Sequence, residues 1–109
     1  MKSHWHGTMR HLGALRGAGT LRCCGVVLGT ADYEIDCFRT GPGEVVGSGE
    51  IRMAPAELDT AFGRHGLELT TGEGRVLQVR FTGARRDRSG DAAHADIVAG
   101  LPAEDEWPR

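Results

Sequence analysis

The residues that could do chemistry in this chain include a group of histidines near its amino terminus. His4 and His6 alternate around Trp5, and His11 follows. Alternating histidines on an extended segment can bind a divalent metal, with His11 as a third ligand. In a metal site, neighbouring groups hydrogen-bond to the ligands and orient them, and a terminal segment rarely supplies such groups. We therefore expect an exposed arm and no metal site here.

The cysteines are a second candidate set. Cys23, Cys24 and Cys37 are too few for a complete set of internal disulfides. Cys23 and Cys24 would point to opposite faces of a strand, where they cannot bind one ion. Cys37 could join Cys24 across a hairpin, but two thiolates leave a zinc site incomplete. We therefore expect buried thiols that fill space, with no metal and no other cofactor.

Carboxylates on predicted strands are the candidates for acid and base catalysis. Glu34, Asp36 and Glu50 fall on neighbouring strands, and close carboxylates can raise each other's pKa enough for proton transfer. His94 and Asp96 share one face of the last predicted strand. Acids at alternating positions usually mark the solvent face of a strand, so a small enzyme using this pocket is an alternative prediction.

Arginines in residues 75–88 form the main candidate binding surface. These arginines lie on a predicted hairpin and the loop that follows it, and Asp87 is the acidic residue in the same segment. They are Arg75, Arg80, Arg85, Arg86 and Arg88. Guanidinium groups bind carboxylate or phosphate oxygens through paired hydrogen bonds. The net charge of −2 and the lack of aromatic residues inside this cluster argue against nucleic acid. We expect a protein partner or a small anion.

Length and composition restrict the class of protein. The chain has 109 residues, which suits one domain, and its 17 glycines predict many turns and few long helices. Its apolar runs fall far short of the roughly 20 residues that cross a bilayer. The amino terminus lacks the apolar block of a secretory signal. We therefore expect a soluble, cytoplasmic protein without membrane contact.

Alternation of large and polar side chains predicts the elements that hold these residues. Strands are predicted at residues 20–28, 33–39 and 44–53, with turns at residues 29–32 and 40–43 between them. A loop at residues 30 and 31 would create three apolar cross-strand pairs: Leu28 with Tyr33, Val26 with Ile35 and Cys24 with Cys37.

The second half of the chain predicts a helix and further strands. Pro55 suits the first turn of a helix over residues 54–63, whose apolar stripe should plug one end of the sheet. Strands at residues 67–71, 75–82 and 92–99 follow. In the third strand, Gly47 and Gly49 share one face and allow close approach of another element.

Together these elements predict a mainly β fold: a small, partly open β-barrel or roll of about six antiparallel strands with one short helix. Residues 1–17 are expected as a flexible arm, residues 18–101 as a single β-rich domain and residues 102–109 as a tail. The predicted function is a non-enzymatic binding or structural module that engages a protein or small anion through residues 75–88. Alternatives are the small enzyme and a protein that homodimerises through an exposed strand edge.

Overall fold

The computed structural model describes residues 9–83 and 90–107. Its elements are β1 (Arg10–Cys23), β2 (Val26–Gly41), β3 (Glu44–Arg52), α1 (Pro55–Ala61), β4 (Leu67–Thr70), β5 (Val76–Phe81) and β6 (Ala92–Ala99). The strands form a closed antiparallel barrel in the order β1-β2-β3-β6-β5-β4. The predicted mainly β fold, with about six antiparallel strands and one short helix, is confirmed.

The barrel closes through a short seam between its first and fourth strands. β4 pairs with β1 at residues 20–23 of β1, where Leu21 lies opposite Leu69. Residues 10–19 of β1 pair with β2, and among the described residues no second strand pairs with their other edge. Beyond the seam, this part of β1 is therefore the edge of a sheet in which β2 also pairs with β3.

Side chains from all six strands and the helix fill the interior. Leu21, Ile35, Ile51, Leu69 and Leu77 each have no exposed surface. These residues belong to one continuous apolar cluster, against which Leu15, Phe81, Leu101 and Trp107 also pack. The described residues thus place a packed apolar core inside the barrel.

The predicted boundary of the N-terminal arm at residue 17 is wrong, because β1 already begins at Arg10. Leu15 packs against the core, but the inward positions on either side of it are Gly13 and Gly17. Rings of Trp107 and Tyr33 come close to those glycines and occupy the space that larger side chains would fill. Because glycine occupies these two inward positions, the sequence here lacks the alternation of large and polar side chains by which a strand is predicted.

The predicted turn at residues 29–32 is also wrong, because β2 runs without interruption through this segment. The chain reverses instead at Cys24 and Gly25, whose φ angles are 54° and 83°. Two successive positive φ angles are typical of a two-residue hairpin turn that matches strand twist. Consequently Tyr33 lies opposite Gly17 and Cys37 opposite Gly13, and the three predicted apolar pairs do not form.

Gly29, which suggested that turn, lies inside β2 for a packing reason. A Cβ atom at this position would collide with the carboxylate of Glu57 on α1. The glycine therefore leaves room for the end of the Glu57 side chain, and it does not reverse the chain.

The predicted strand at residues 20–28 is wrong as a single strand, because the turn at Cys24 and Gly25 divides it between β1 and β2. The other predicted elements are confirmed with small changes of boundary. Pro42 and Gly43 form the turn between β2 and β3, with Gly43 at a φ of 74°. Helix α1 packs on β2 and β6 and buries Leu58 and Ala61 completely. The hairpin of β4 and β5 and the last strand, β6, form at the predicted places.

The segment predicted as a C-terminal tail packs on the open end of the barrel through residue 107. Leu101 lies against Gly47, at the face where a close approach was predicted. The Glu104 carboxylate accepts hydrogen bonds from Arg39 at 3.4 Å and from the backbone N–H of Gly43 at 3.3 Å. These contacts hold the segment against the turn between β2 and β3.

Candidate partner-binding groove

The antiparallel register places the predicted acid–base residues in neighbouring rows on the outer face of the barrel. Glu34 lies opposite Glu50, which in turn lies opposite His94. One row further along, Ser48 separates Asp36 from Asp96. The structure therefore brings the predicted set onto one open sheet surface and not into a cleft.

Each carboxylate in these rows has a basic side chain nearby. Arg16 donates to Glu34 at 3.0 Å, and Arg52 donates to Glu50 at 2.8 Å. Nε2 of His11 lies 3.1 Å from Oδ1 of Asp36. Pairs this exposed contribute at most about 1 kcal/mol each to stability.

The cavity beside these acids is small. A depression of about 140 Å³ is lined by Asp32, Tyr33, Glu34, Glu50 and Arg52. Ligand sites usually have volumes of roughly 300 Å³ or more and enclose most of the ligand. The geometry of this depression is therefore that of a solvated row of ion pairs, and it does not favour catalysis at Glu34 or Glu50, whereas Asp96, another member of the predicted set, lines a larger groove.

A larger feature lies beside the acid rows, where β3 and β6 separate. The pair that ends the ladder between these strands is Gly47 with Ile97, so residues 44–46 and 98–99 diverge beyond it. A groove of about 610 Å³ lies over this fork and is lined by Met9, Phe38, Val45, Val46, Gly47, Ser48, Arg80, Asp96, Ile97 and Val98. It is large enough to hold side chains of a partner.

The floor of this groove is apolar and exposed. Met9 and Val98 are each 55% exposed, and Val46 is 41% exposed. Phe38 lies opposite Val46 on the neighbouring strand and contacts the ring of His11 edge-on. We call Met9, Phe38, Val46 and Val98 the groove floor. A contiguous exposed apolar surface of this kind is a common mark of a binding site.

Two members of the predicted arginine cluster, Arg75 and Arg80, are among the described residues. Arg75 donates to the carbonyl oxygen of Gly100 at 3.1 Å, which ties the β4–β5 turn to the end of β6. Arg80 lines the groove, with a 68% exposed side chain 3.9 Å from Asp96. Arg85, Arg86 and Arg88 lie outside the described residues. Arg80 is the member of the predicted set that the structure places at a candidate site.

The chain matches no protein-family model, and comparison with curated proteins and with solved structures likewise gives no match.

Among residues 9–83 and 90–107, no cluster of three or more potential metal ligands is present. His4 and His6 lie outside the described residues, and His11 pairs with Asp36 on the sheet. The predicted pairing of Cys24 with Cys37 is wrong, because Cys24 lies in the hairpin turn and Cys37 faces the core. No helix in the described part of the chain is long and apolar enough to cross a membrane.

Sequence reasoning missed the groove floor because its residues come from separate segments. Val46 and Val98 occupy outward positions, next to the inward residues Gly47 and Ile97. Such outward valines on two strands were the available signal, but the sequence does not show the register that brings those strands together. The alternation places Phe38 on a strand without indicating what its ring contacts.

Proposed function

We propose that this barrel is a non-enzymatic protein-binding module that takes its partner in the groove between β3 and β6. The observation that carries the proposal is the apolar groove floor, in which Met9, Val46 and Val98 are exposed and Phe38 is half-buried, outside the packed core of the barrel. Burial of such a floor by a partner is favourable by roughly 25 cal/mol for each Å² removed from water.

The charge at the rim specifies the chemistry of the partner. The guanidinium group of Arg80 is mostly exposed, and its distance of 3.9 Å from Asp96 is at the limit of an ion pair. A carboxylate of the partner can therefore pair with Arg80 in two-point geometry while an apolar side chain enters the groove. The proposed partner is a protein segment with an apolar anchor and a neighbouring Asp or Glu.

The arginines that follow Arg80 extend this proposal along the sequence. Arg85, Arg86 and Arg88 come directly after β5 and Gly83, so an acidic segment seated on Arg80 would have further cations within a short stretch of chain. Such charges chiefly accelerate encounter and set salt dependence. A small anion at Arg80 and a second copy of this chain are the competing occupants. A cytoplasmic location, with the thiols reduced, is part of this proposal.

Selection of peptides from a random display library tests the proposal and does not require the partner to be identified first. The library is selected on the wild-type protein, and binding of the enriched peptides is then measured on purified variants. Val46→Glu and Val98→Glu place a charge on the floor, whereas Val76→Glu changes a valine of similar exposure away from the groove. Unfolding midpoints are measured for all three variants.

We expect enriched peptides to combine an apolar residue with Asp or Glu. Loss of an interface anchor typically costs more than 1 kcal/mol, so Val46→Glu and Val98→Glu should weaken binding by about tenfold or more. Val76→Glu should bind like wild type, and Arg80→Gln should reduce the salt dependence. Equal binding to all variants would overturn the proposal. Complete displacement of the peptides by inorganic phosphate would also overturn it. So would light scattering that shows a wild-type dimer and a monomeric Val46→Glu variant.

A further inference from the structure

The turn between β1 and β2 brings two thiols together. Cys23 is the last residue of β1 and pairs with Val26, while Cys24 occupies the first position of the two-residue turn. The Sγ atoms of Cys23 and Cys24 lie 3.9 Å apart. In a continuous strand the two side chains would point to opposite faces. The left-handed backbone at Cys24, with a φ of 54°, is what places them side by side.

The two thiols differ in their surroundings. Cys23 is 9% exposed, and its Sγ atom lies 3.4 Å from the carbonyl oxygen of His65, to which the thiol can donate. Cys24 is exposed to solvent. Gly66 leaves room beside it, since a Cβ atom there would lie 3.7 Å from the Cys24 Sγ. The pair thus has one thiol held in place by the protein and one accessible to a reagent.

The backbone at Cys24 has an uncommon conformation. Cys24 is the one residue other than glycine with positive φ among residues 9–83 and 90–107. Such a conformation is uncommon for residues other than glycine, asparagine and aspartate, and it costs of order 1 kcal/mol. A glycine or asparagine would form this turn at lower cost.

Two thiols without a third coordinating residue restrict the class of molecule that the site can bind. Zinc requires four ligands, and the described residues supply no cluster of three. We infer that Cys23 and Cys24 form a dithiol site for a thiophilic trivalent centre of the organoarsenical class, which is satisfied by two sulfur ligands. Soft thiolate ligands favour soft centres, and two adjacent thiols bind one centre far better than two separate thiols do.

The binding step is balanced without an oxidant. An arsenoxide, R–As=O, reacts with the two thiols to give R–As(S)₂ bridged between the cysteines and one molecule of water. Two As–S bonds form, two S–H bonds and the As–O bond break, and both protons leave with the oxygen. Arsenic stays trivalent and both sulfurs stay at the thiol oxidation level, so reduction is not needed for release. A small competing dithiol reverses the reaction by exchange.

The neighbouring groups are consistent with a pair that shares its protons. The hydrogen bond with the Cys23 thiol raises the pKa of Cys24, and a negative charge on Cys23 would raise it further. Arg64 acts in the opposite direction on the same group, and Glu68 raises its pKa further. Cys24 is therefore mainly a neutral thiol near pH 7.

Phenylarsine oxide is the probe for this site, with native mass spectrometry as the measurement. Purified reduced protein is mixed with the probe in excess glutathione, a monothiol that competes with single cysteines. We compare wild type, Cys24→Asn, Cys23→Ser and Cys37→Ala. Cys37 provides the matched control because it is a fully buried thiol inside the barrel. Cys24→Asn keeps the fold testable, because asparagine suits the left-handed conformation of the turn.

We expect wild type and Cys37→Ala to retain one arsenical per chain in glutathione and to lose it when a dithiol is added. Cys24→Asn and Cys23→Ser should weaken retention by about 100-fold or more, since the chelate effect is lost. Retention by Cys24→Asn equal to wild type would overturn the inference. Loss of retention in Cys37→Ala, or an adduct that joins two chains, would overturn it as well.

Discussion

The indole ring of Trp107 lies directly over Gly13, so that a Cβ atom at Gly13 would be 3.0 Å from Cε3 and Cζ3 of the ring. The indole N–H donates to the carbonyl oxygen of Pro102 at 3.3 Å, which fixes the ring in this position. A residue close to the C-terminus thus supplies the aromatic surface that the first strand lacks. This contact joins the two ends of the described chain.

Gly13→Ala is expected to displace Trp107 and to lower the free energy of unfolding by about 1 kcal/mol. The added methyl group meets the ring, and the φ of 156° at Gly13 suits glycine better than alanine. Fluorescence is measured in a Trp5→Phe background, since the chain has two tryptophans. Emission should shift to longer wavelength as the ring enters water. Ala14→Ser, on the adjacent position, is the control, and unchanged emission in Gly13→Ala would contradict the contact.

Gly49→Ala is expected to be far more damaging than Gly72→Ala. A Cβ atom at Gly49 would collide with the carbonyl oxygen of Glu34 and lie 2.9 Å from the Cα of Ile35, both backbone atoms of β2. At Gly72 the nearest atom, the carbonyl oxygen of Ala18, would be at an ordinary 3.6 Å.

Because backbone atoms within a paired strand cannot move aside, we expect Gly49→Ala to cost about 2–4 kcal/mol in urea unfolding. Gly72→Ala should stay within about 0.5 kcal/mol of wild type. Equal midpoints for the two variants would show that β2 and β3 are not packed at this distance.

These glycines explain how much of the fold could be predicted from the sequence. Where large residues alternate, as at Tyr33, Ile35 and Cys37, the strand and its inward face were predicted correctly. Where glycine takes the inward position, as at Gly13 and Gly17, the pattern is lost and the strand was missed. The space above such a glycine is filled by a distant ring, and local periodicity does not contain that information.

The hairpin turn and the groove were missed for different reasons. Cys24 is not a residue that predicts a turn with positive φ, and Gly29 offered a stronger local signal for one. The groove floor depends on the register between β3 and β6, which brings Val46 and Val98 to the same fork. Register between strands separated by a helix and a hairpin is set by the packed barrel as a whole and not by either strand.

Replacement of Cys24 by glycine is expected to raise the free energy of unfolding by about 0.5–1 kcal/mol. The backbone at this position has a φ of 54°, which glycine adopts without the steric cost that a Cβ atom brings. The gain is partly offset by the greater freedom of glycine in the unfolded chain. Cys24→Ala is the matched control, since it removes the thiol and keeps the Cβ atom, and it should leave stability unchanged. A gain in Cys24→Ala equal to that in Cys24→Gly would assign the effect to the thiol and not to the backbone.

The thiol of Cys37 should make the stability of the barrel fall at alkaline pH. Burial raises the pKa of Cys37 to about 11, and the charge of Asp36 adds to this effect. A thiol in the unfolded chain titrates near about 8.5, so above that pH the unfolded state binds fewer protons than the folded state. By linkage, the free energy of unfolding then decreases as the pH rises from about 8.5 to 11. Below about pH 8.5 the titration of Cys37 leaves the free energy of unfolding unchanged. The loss attributable to Cys37 should be on the order of 3 kcal/mol, since one pKa unit corresponds to about 1.4 kcal/mol. Urea unfolding of wild type and Cys37→Ala across this range measures this loss, because groups other than Cys37 contribute equally to both proteins.

The Cys37→Ala variant starts from a lower stability, since it leaves space in the core, but its free energy of unfolding should fall less steeply with pH. Parallel curves for the two proteins would mean that Cys37 is not held as a neutral thiol inside the barrel.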